Sequence, residues 1–296
     1  MIELKNLTQV YKSGKGIFDV NFSVKEGEVF GYLGPNGAGK TTTIRNLLGF
    51  ANASEGSATI NGLDCRKDAK ELQNIIGYLP GEMALFDNMT GMEFLKFMTD
   101  MRKTKDVSRR DELIERFQLD TKGKIKKMSK GMKQKLGIIT AFMHEPEVYI
   151  LDEPTSGLDP FMQNIFLELV QEEKKKGKTI LMSSHIFEEI HRSCDRAVII
   201  REGKIVAIED VKALDEMKAK TYVITLGSST DAKKVLYSDF ETKKISDDKV
   251  QAIVKYPYNQ FFWFLSTCDV TKLEVKQESL EDVFMKYYGE DGHSNE

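Results

Sequence analysis

Apolar and polar residues alternate along three early stretches: Ile2-Glu3-Leu4-Lys5, Asp19-Val20-Asn21-Phe22-Ser23-Val24 and Ser57-Ala58-Thr59-Ile60. A period of two puts every second side chain on one face and predicts half-buried strands. Glu28-Val29-Phe30-Gly31-Tyr32-Leu33 is a nearly unbroken apolar run after the turn Lys25-Glu26-Gly27-Glu28, which predicts a buried strand. Asn61-Gly62 marks a turn. From about 90 to 142 the apolar spacing changes to three and four residues. Thr90-Gly91-Met92-Glu93 predicts a capping box opening a helix through Met101. Further helices are expected over Asp111 to Phe117 and Lys130 to Met143. The pattern then returns to strand and helix in turn. Val148-Tyr149-Ile150-Leu151 and Thr179-Ile180-Leu181-Met182 predict buried strands on either side of an amphipathic helix, Phe161 to Lys176. Arg196 to Ile200 and Lys204 to Ala207 flank Glu202-Gly203 as a hairpin. This alternation implies an α/β domain with a largely parallel core sheet covered by helices on both faces.

A charged, helix-prone stretch from Asp215 to Lys220 suggests a boundary near 210–221. Beyond it lie strand signals at Thr221 to Leu226 and Val250 to Lys255. Ser279-Leu280-Glu281-Asp282 then predicts a capped helix over Val283 to Tyr288. The expected organisation is one domain over 1–212, with a helical part at about 82–142, and a small α+β domain over 221–296. No internal repeat or long low-complexity segment interrupts it.

Between the strand ending at Leu33 and a helix expected to start at Thr42 lies Gly34-Pro35-Asn36-Gly37-Ala38-Gly39-Lys40-Thr41. It fits G-x-x-x-x-G-K-[ST] without a mismatch. A strand–loop–helix of this kind points successive backbone N–H groups into one concavity at the positive end of a helix dipole. The glycines let the backbone approach phosphate oxygens. Lys40 is expected to reach the β- and γ-phosphates, and the Thr41 hydroxyl, with Thr42 beside it, to sit where Mg²⁺ is held. The chain is therefore expected to bind a nucleoside triphosphate.

Composition narrows the partners. Of 296 residues, 41% are hydrophobic and 30% charged, which is ordinary for a globular protein. A net charge of -3 argues against nucleic acid as a main partner. Cys65, Cys194 and Cys268 are few and far apart, which suits neither a disulfide framework nor a zinc site and fits the reducing cytosol. No apolar run approaches the roughly 20 residues of a membrane helix. Met1-Ile2-Glu3-Leu4-Lys5 carries no signal-peptide pattern. A membrane role would need another polypeptide for the membrane part.

Ile150-Leu151-Asp152-Glu153-Pro154 places two carboxylates at the end of a buried strand. An acid there can hold Mg²⁺ through water beside a phosphate loop, the role expected of Asp152. Glu153 points elsewhere and is expected to act as general base on water.

At this point the chain resembles the nucleotide-binding subunit of ATP-binding-cassette (ABC) transporters over roughly residues 1 to 210. Met128-Ser129-Lys130-Gly131-Met132-Lys133-Gln134-Lys135 is similar to that family's signature segment. Ser156-Gly157-Leu158-Asp159 is similar to its D-loop, His185 after Ser183-Ser184 to its switch histidine, and Tyr11 to the aromatic residue that stacks on adenine. The resemblance implies a P-loop cassette with a mixed sheet core, an antiparallel β subdomain and a helical subdomain. It also implies a composite site, in which two cassettes, identical or paralogous, face head to tail. Ser129 and Gly131 would contact the γ-phosphate held by the opposite phosphate loop. His185 would hydrogen-bond the γ-phosphate in cis, and Asp159 would couple the two sites. Cofactors would be ATP and Mg²⁺. The partner would be a separate transmembrane permease that keeps this chain at the inner face of the cell membrane.

Met128, Lys130 and Met132 replace the family's commoner Leu, Gly and Gln, while Ser129, Gly131 and Gln134 are kept. In Leu79-Pro80-Gly81-Glu82 the Q-loop glutamine, which normally contacts Mg²⁺, is Gly81. The dense basic run of lysines 122, 124, 126, 127, 130, 133 and 135 reads either as attraction to phosphates or as a solvated helix face. A single cassette with an α+β tail resembles the ABC-2 class of drug, antibiotic and peptide exporters, with the membrane partner choosing the substrate. The tail is expected to stabilise the dimer or tune the ATPase. The alternatives are a soluble cassette ATPase working on ribosomes or DNA and a regulator that binds ATP without turnover. The 90 or so residues between Thr41 and Ser129 hold no sustained heptads, and the Asp152-Glu153 pair is intact. Both facts count against those alternatives. No Asn is followed by Lys, which removes the base-recognition motif of a GTPase.

Overall fold

A computed structural model describes residues 1–211, 220–254 and 257–277. The helix expected over Val283 to Tyr288 and the charged residues 215–219 lie outside them. Contacts divide the chain into two compact units, 1–211 and 212–296.

Strand β3 (Val29–Leu33) is buried at all five positions because it runs inside a six-stranded sheet. The order is β10 (Lys204–Asp210), β9 (Arg196–Arg201), β3, β8 (Thr179–Ser184), β7 (Val148–Asp152) and β6 (Ile76–Leu79). Every neighbouring pair is parallel except β9 and β10, which form the hairpin. β7 and β8 are buried throughout, as near-continuous apolar strands of a two-side-covered parallel sheet should be. A second, antiparallel sheet has the order β2 (Gly16–Val24), β1 (Ile2–Val10), β4 (Glu55–Ile60) and β5 (Leu63–Asp64). β1 runs past Lys5 because Asn6 sits at φ 49 and shifts the register between Leu4 and Leu7. Its side chain donates to Asp19 Oδ1 at 2.7 Å, which pins the irregularity.

Helix α1 (Lys40–Leu47) starts at Lys40, two residues before the sequence pattern suggests, because Gly39 caps it at φ 113. Its Ile44 and Leu47, with Leu48, pack between the sheets with Val20 and Phe22 of β2 and Tyr32 of β3. Each such fully buried side chain contributes about 1.5–3 kcal/mol relative to exposure. α2 (Ala69–Ile75) runs straight into β6. The helical region holds α3 (Gly91–Met101), α4 (Ser108–Arg116) and α5 (Lys130–Phe142). α3 opens with the capping box: Glu93 N–H donates to Thr90 Oγ1 at 3.2 Å, and Thr90 N–H donates to Glu93 Oε2 at 2.7 Å. α6 (Pro160–Lys175) and α7 (Phe187–Ser193) complete the unit.

An ion-pair network ties α4 to α6. Glu173 is fully buried and accepts from Arg109 Nη2 at 2.7 Å and from the Tyr149 hydroxyl at 2.9 Å. Arg116 donates to Glu172 at 2.6 Å alongside.

The second unit is a four-stranded antiparallel sheet of order β12 (Glu241–Lys244), β13 (Lys249–Val254), β11 (Lys220–Leu226) and β14 (Val270–Gln277). Helices α8 (Ser229–Leu236) and α9 (Asn259–Leu265) give it a core with Tyr222, Ile224, Val235 and Phe261.

Candidate nucleotide site

The phosphate loop spans the end of β3 and the start of α1, so the first helical N–H groups point towards it without i−4 partners. Gly37 and Gly39 take left-handed φ values of 81 and 113, which a side chain would disfavour. At Gly34 a Cβ would lie 2.5 Å from the Ile200 carbonyl oxygen, so only glycine fits there. Gly34 N–H donates to Ser184 O at 3.2 Å, which fastens the loop to β8.

Lys40 is buried, and its ammonium donates to Gly34 O at 2.6 Å and Pro35 O at 3.2 Å. It also lies 3.4 Å from Glu153 Oε1. The same carboxylate oxygen is 3.3 Å from His185 Nδ1, and His185 is 44% exposed. Thr41 Oγ1 donates to Asp152 Oδ2 at 2.9 Å. Asp152 is 2% exposed, and its other oxygen accepts from the Ser183 hydroxyl. Burial and the nearby Asp152 carboxylate push the Tyr78 phenol up to about 12. Glu153 itself sits at φ 49, and its N–H donates to Ser183 O at 3.2 Å and Oγ at 3.1 Å.

A cleft of about 170 Å³ opens beside this group, lined by Tyr11, Lys15, Gly16, Asn36, Gly37, Gly39, Lys40, Thr41, Thr42 and Glu153. Tyr11 stands at its rim on a turn closed by its N–H to Lys15 O at 2.8 Å. Pro35 and Ala38 hold the loop's curvature through Ala38 N–H to Pro35 O at 3.2 Å. The sequence reasoning missed Lys15, whose signal was a lysine between Gly14 and Gly16 four residues after Tyr11. It also gave Ser183 no part, although Ser183 holds both Asp152 and Glu153.

The segment around Ser129 does not reach the chain's own cleft. Ser129 caps α5, accepting from Met132 N–H at 3.2 Å, and neither it nor Gly131 lines the cleft. Gly131 packs on Gly157 instead, where a Cβ would come 2.7 Å from the Gly157 carbonyl oxygen. Asp159 caps α6 by accepting from Met162 N–H at 3.0 Å and is also outside the cleft. Gly81 lies against Asp152: a Cβ there would be 3.4 Å from Oδ2, an ordinary contact. The residues present suit a magnesium–nucleotide. They offer a helix N-terminus and a buried cation for phosphate, and a hydroxyl beside a buried carboxylate for a hard cation.

The family profile described as ABC transporter matches residues 17–156. The bacitracin transport ATP-binding protein BcrA of Bacillus licheniformis is 34% identical over 98% of this chain and 97% of its own length. The chain belongs to the family of ABC transporter ATP-binding proteins. The linearmycin resistance ATP-binding protein LnrL of Bacillus subtilis (strain 168) is 38% identical over 70% of this chain and 68% of its own length. MJ0796, a bacterial ABC transporter cassette solved as a dimer, is 25% identical over 71% of this chain and 99% of that one, with a TM-score of 0.65. The six-stranded core with its helical region is thus an ABC cassette, its nucleotide is ATP and its activity is ATP hydrolysis. Among the described residues, no helix is long and apolar enough to cross a membrane.

Proposed function

We propose that this chain powers an exporter of an antibiotic, another drug, an amphipathic peptide or a lipid-like molecule. A separate permease provides the membrane path and holds the chain at the inner membrane face. The similarity to a bacitracin transport protein and a linearmycin resistance protein supports this reading. Exposed aromatic side chains on the helical region suit a permease segment: Phe86 is 52% and Phe97 36% exposed, and their rings meet edge-on at 5.6 Å. Nucleic acid has no part in the proposal. The 1–212 segment is the nucleotide-binding domain with its helical part near 82–142, and the 221–296 segment is an accessory domain.

Within the site, the loop N–H groups and Lys40 hold the phosphates, and the Tyr11 ring takes the adenine. Thr41 directly and Asp152 through water would hold Mg²⁺, which when bound neutralises phosphate charge. Glu153 accepts a proton from the attacking water as the water oxygen bonds to the γ-phosphorus and the bond to ADP breaks. General base action of this kind contributes about 10²–10⁴-fold in rate. His185 orients the γ-phosphate beside it.

One observation carries the reading: Lys40, Thr41 and Glu153 line one cleft with Asp152 bonded to Thr41 just behind it, while Ser129 and Gly131 stand outside it. The missing half comes from a second cassette, a copy of this chain or a paralogue, with Asp159 at the junction. Glu153→Gln is the test. Size-exclusion chromatography should show a dimer with ATP and a monomer without, and turnover should fall at least 100-fold. A variant that keeps hydrolysing, or stays monomeric with ATP, refutes it.

A further inference from the structure

Gln134 lies in α5, the helix that Ser129 caps, and is 2% exposed. Its side-chain amide reaches out of the helix to the turn after β7. Nε2 donates to Pro154 O at 2.8 Å and to Glu153 O at 3.3 Å. That turn holds Glu153 at φ 49. A non-glycine residue there costs about 1–2 kcal/mol and persists only where its surroundings hold it. On one side Ser183 accepts the Glu153 N–H. On the other, Gln134 grips the carbonyls. The same helix touches the segment once more, where Gly131 rests on the Gly157 carbonyl.

We propose that Gln134 is a positioning residue: it aims the Glu153 carboxylate and makes that aim depend on how α5 is seated. The inference rests on the reading of Glu153 as the base. It adds a link between the two ATP sites of a dimer. Ser129 and Gly131 at the start of α5 face the nucleotide of the partner's phosphate loop. Gln134, three residues beyond Gly131, holds the base that serves this chain's own cleft. A shift of α5 on engaging the partner's nucleotide moves the base directly, and a misplacement of about 1 Å costs about 10²-fold in rate.

The test is made on the full chain. Gln134→Met keeps the length and apolar stem and removes the donor. Gln134→Asn keeps an amide but draws it back by one methylene, out of reach of Pro154 O. Turnover is measured with ATP affinity and the fraction of nucleotide-binding sites from a fluorescent ATP analogue, and the unfolding midpoint alongside. Either folded variant should lose about 10- to 100-fold in kcat per nucleotide-binding site, with KM and ATP affinity within about twofold. A purely structural role lowers the midpoint and the fraction of binding sites but leaves kcat per binding site at the parent's value, and that outcome overturns the proposal. So does a kcat within twofold of the parent in either folded variant, or an equal loss of ATP affinity. If Glu153→Gln abolishes turnover and both Gln134 variants keep it, this inference alone fails. If Glu153→Gln keeps turnover, the base assignment fails first.

Discussion

Replacing Glu173 with Ala removes the carboxylate at the centre of the tie between α4 and α6. Three groups lose a partner: Arg109 at 2.7 Å, the Tyr149 hydroxyl at 2.9 Å and Lys176 at 2.9 Å. Lys176 is 42% exposed and turns to water at little cost. Arg109 is only 13% exposed, and its Nε already has no partner. Breaking a buried ion pair costs about 3–5 kcal/mol because the remaining charge is stranded. Arg109 keeps Glu112 at 2.7 Å, and Glu112 faces solvent, so the lower end applies. Loss of the charged hydrogen bond to Tyr149 lies within that figure. The expected loss is about 3 kcal/mol, a large share of the roughly 5–15 kcal/mol that holds a domain folded. Urea unfolding of Glu173→Ala, followed through the first unit's tyrosines, measures it. The double variant Arg109→Met with Glu173→Leu should regain most of the loss, since no charge is then left buried. A single-variant loss below 1 kcal/mol, or a double variant worse than the single, refutes the argument.

Ser129→Arg should leave ATP affinity within about twofold and cut turnover at least tenfold, since Ser129 is outside its own cleft; unchanged turnover in a folded protein rejects the composite site. Gly81→Gln should fold like the parent, because the added Cβ meets Asp152 only at ordinary contact distance, and should lower the Mg²⁺ concentration for half-maximal turnover; an unchanged Mg²⁺ dependence counts against a Mg²⁺ position beside Asp152. Burial, and then the Arg102 guanidinium nearby, push His144 down from 6.5 to about 4, with Lys178 adding to the effect. Between pH 6.5 and 4 the unfolded chain takes up a proton that the folded chain refuses, so stability falls as pH drops, by at most about 3 kcal/mol. His144→Gln should flatten that slope in acid unfolding curves, and an identical slope would remove His144 as its source.

Local chemistry explains which parts were legible in the sequence. The phosphate loop was readable because its glycines, lysine and threonine act on consecutive backbone groups. Its helix was placed two residues late because Gly39, not a polar cap, starts it. β1 seemed to end at Lys5 because Asn6 breaks the alternation, while the strand resumes beyond the irregularity. The junction of α2 with β6 was unreadable: Ile75 and Ile76 stand on either side with no glycine or proline between. Thr41 and Asp152, 111 residues apart, were paired through their motifs alone. Gln134 stands in the segment that resembles the family's signature, but its bond to Pro154 depends on how α5 lies against the turn after β7. No spacing along the chain encodes that.

Lys40 has a consequence of its own. Its ammonium is already seated on two loop carbonyls and faces the Glu153 carboxylate. The loop therefore carries an internal counter-ion that props it in shape, and an arriving triphosphate trades places with oxygens of the protein rather than remodelling a collapsed backbone. Capture of ATP should then be fast and limited by encounter; in the proposed dimer the slow step falls to the pairing of two loaded cassettes.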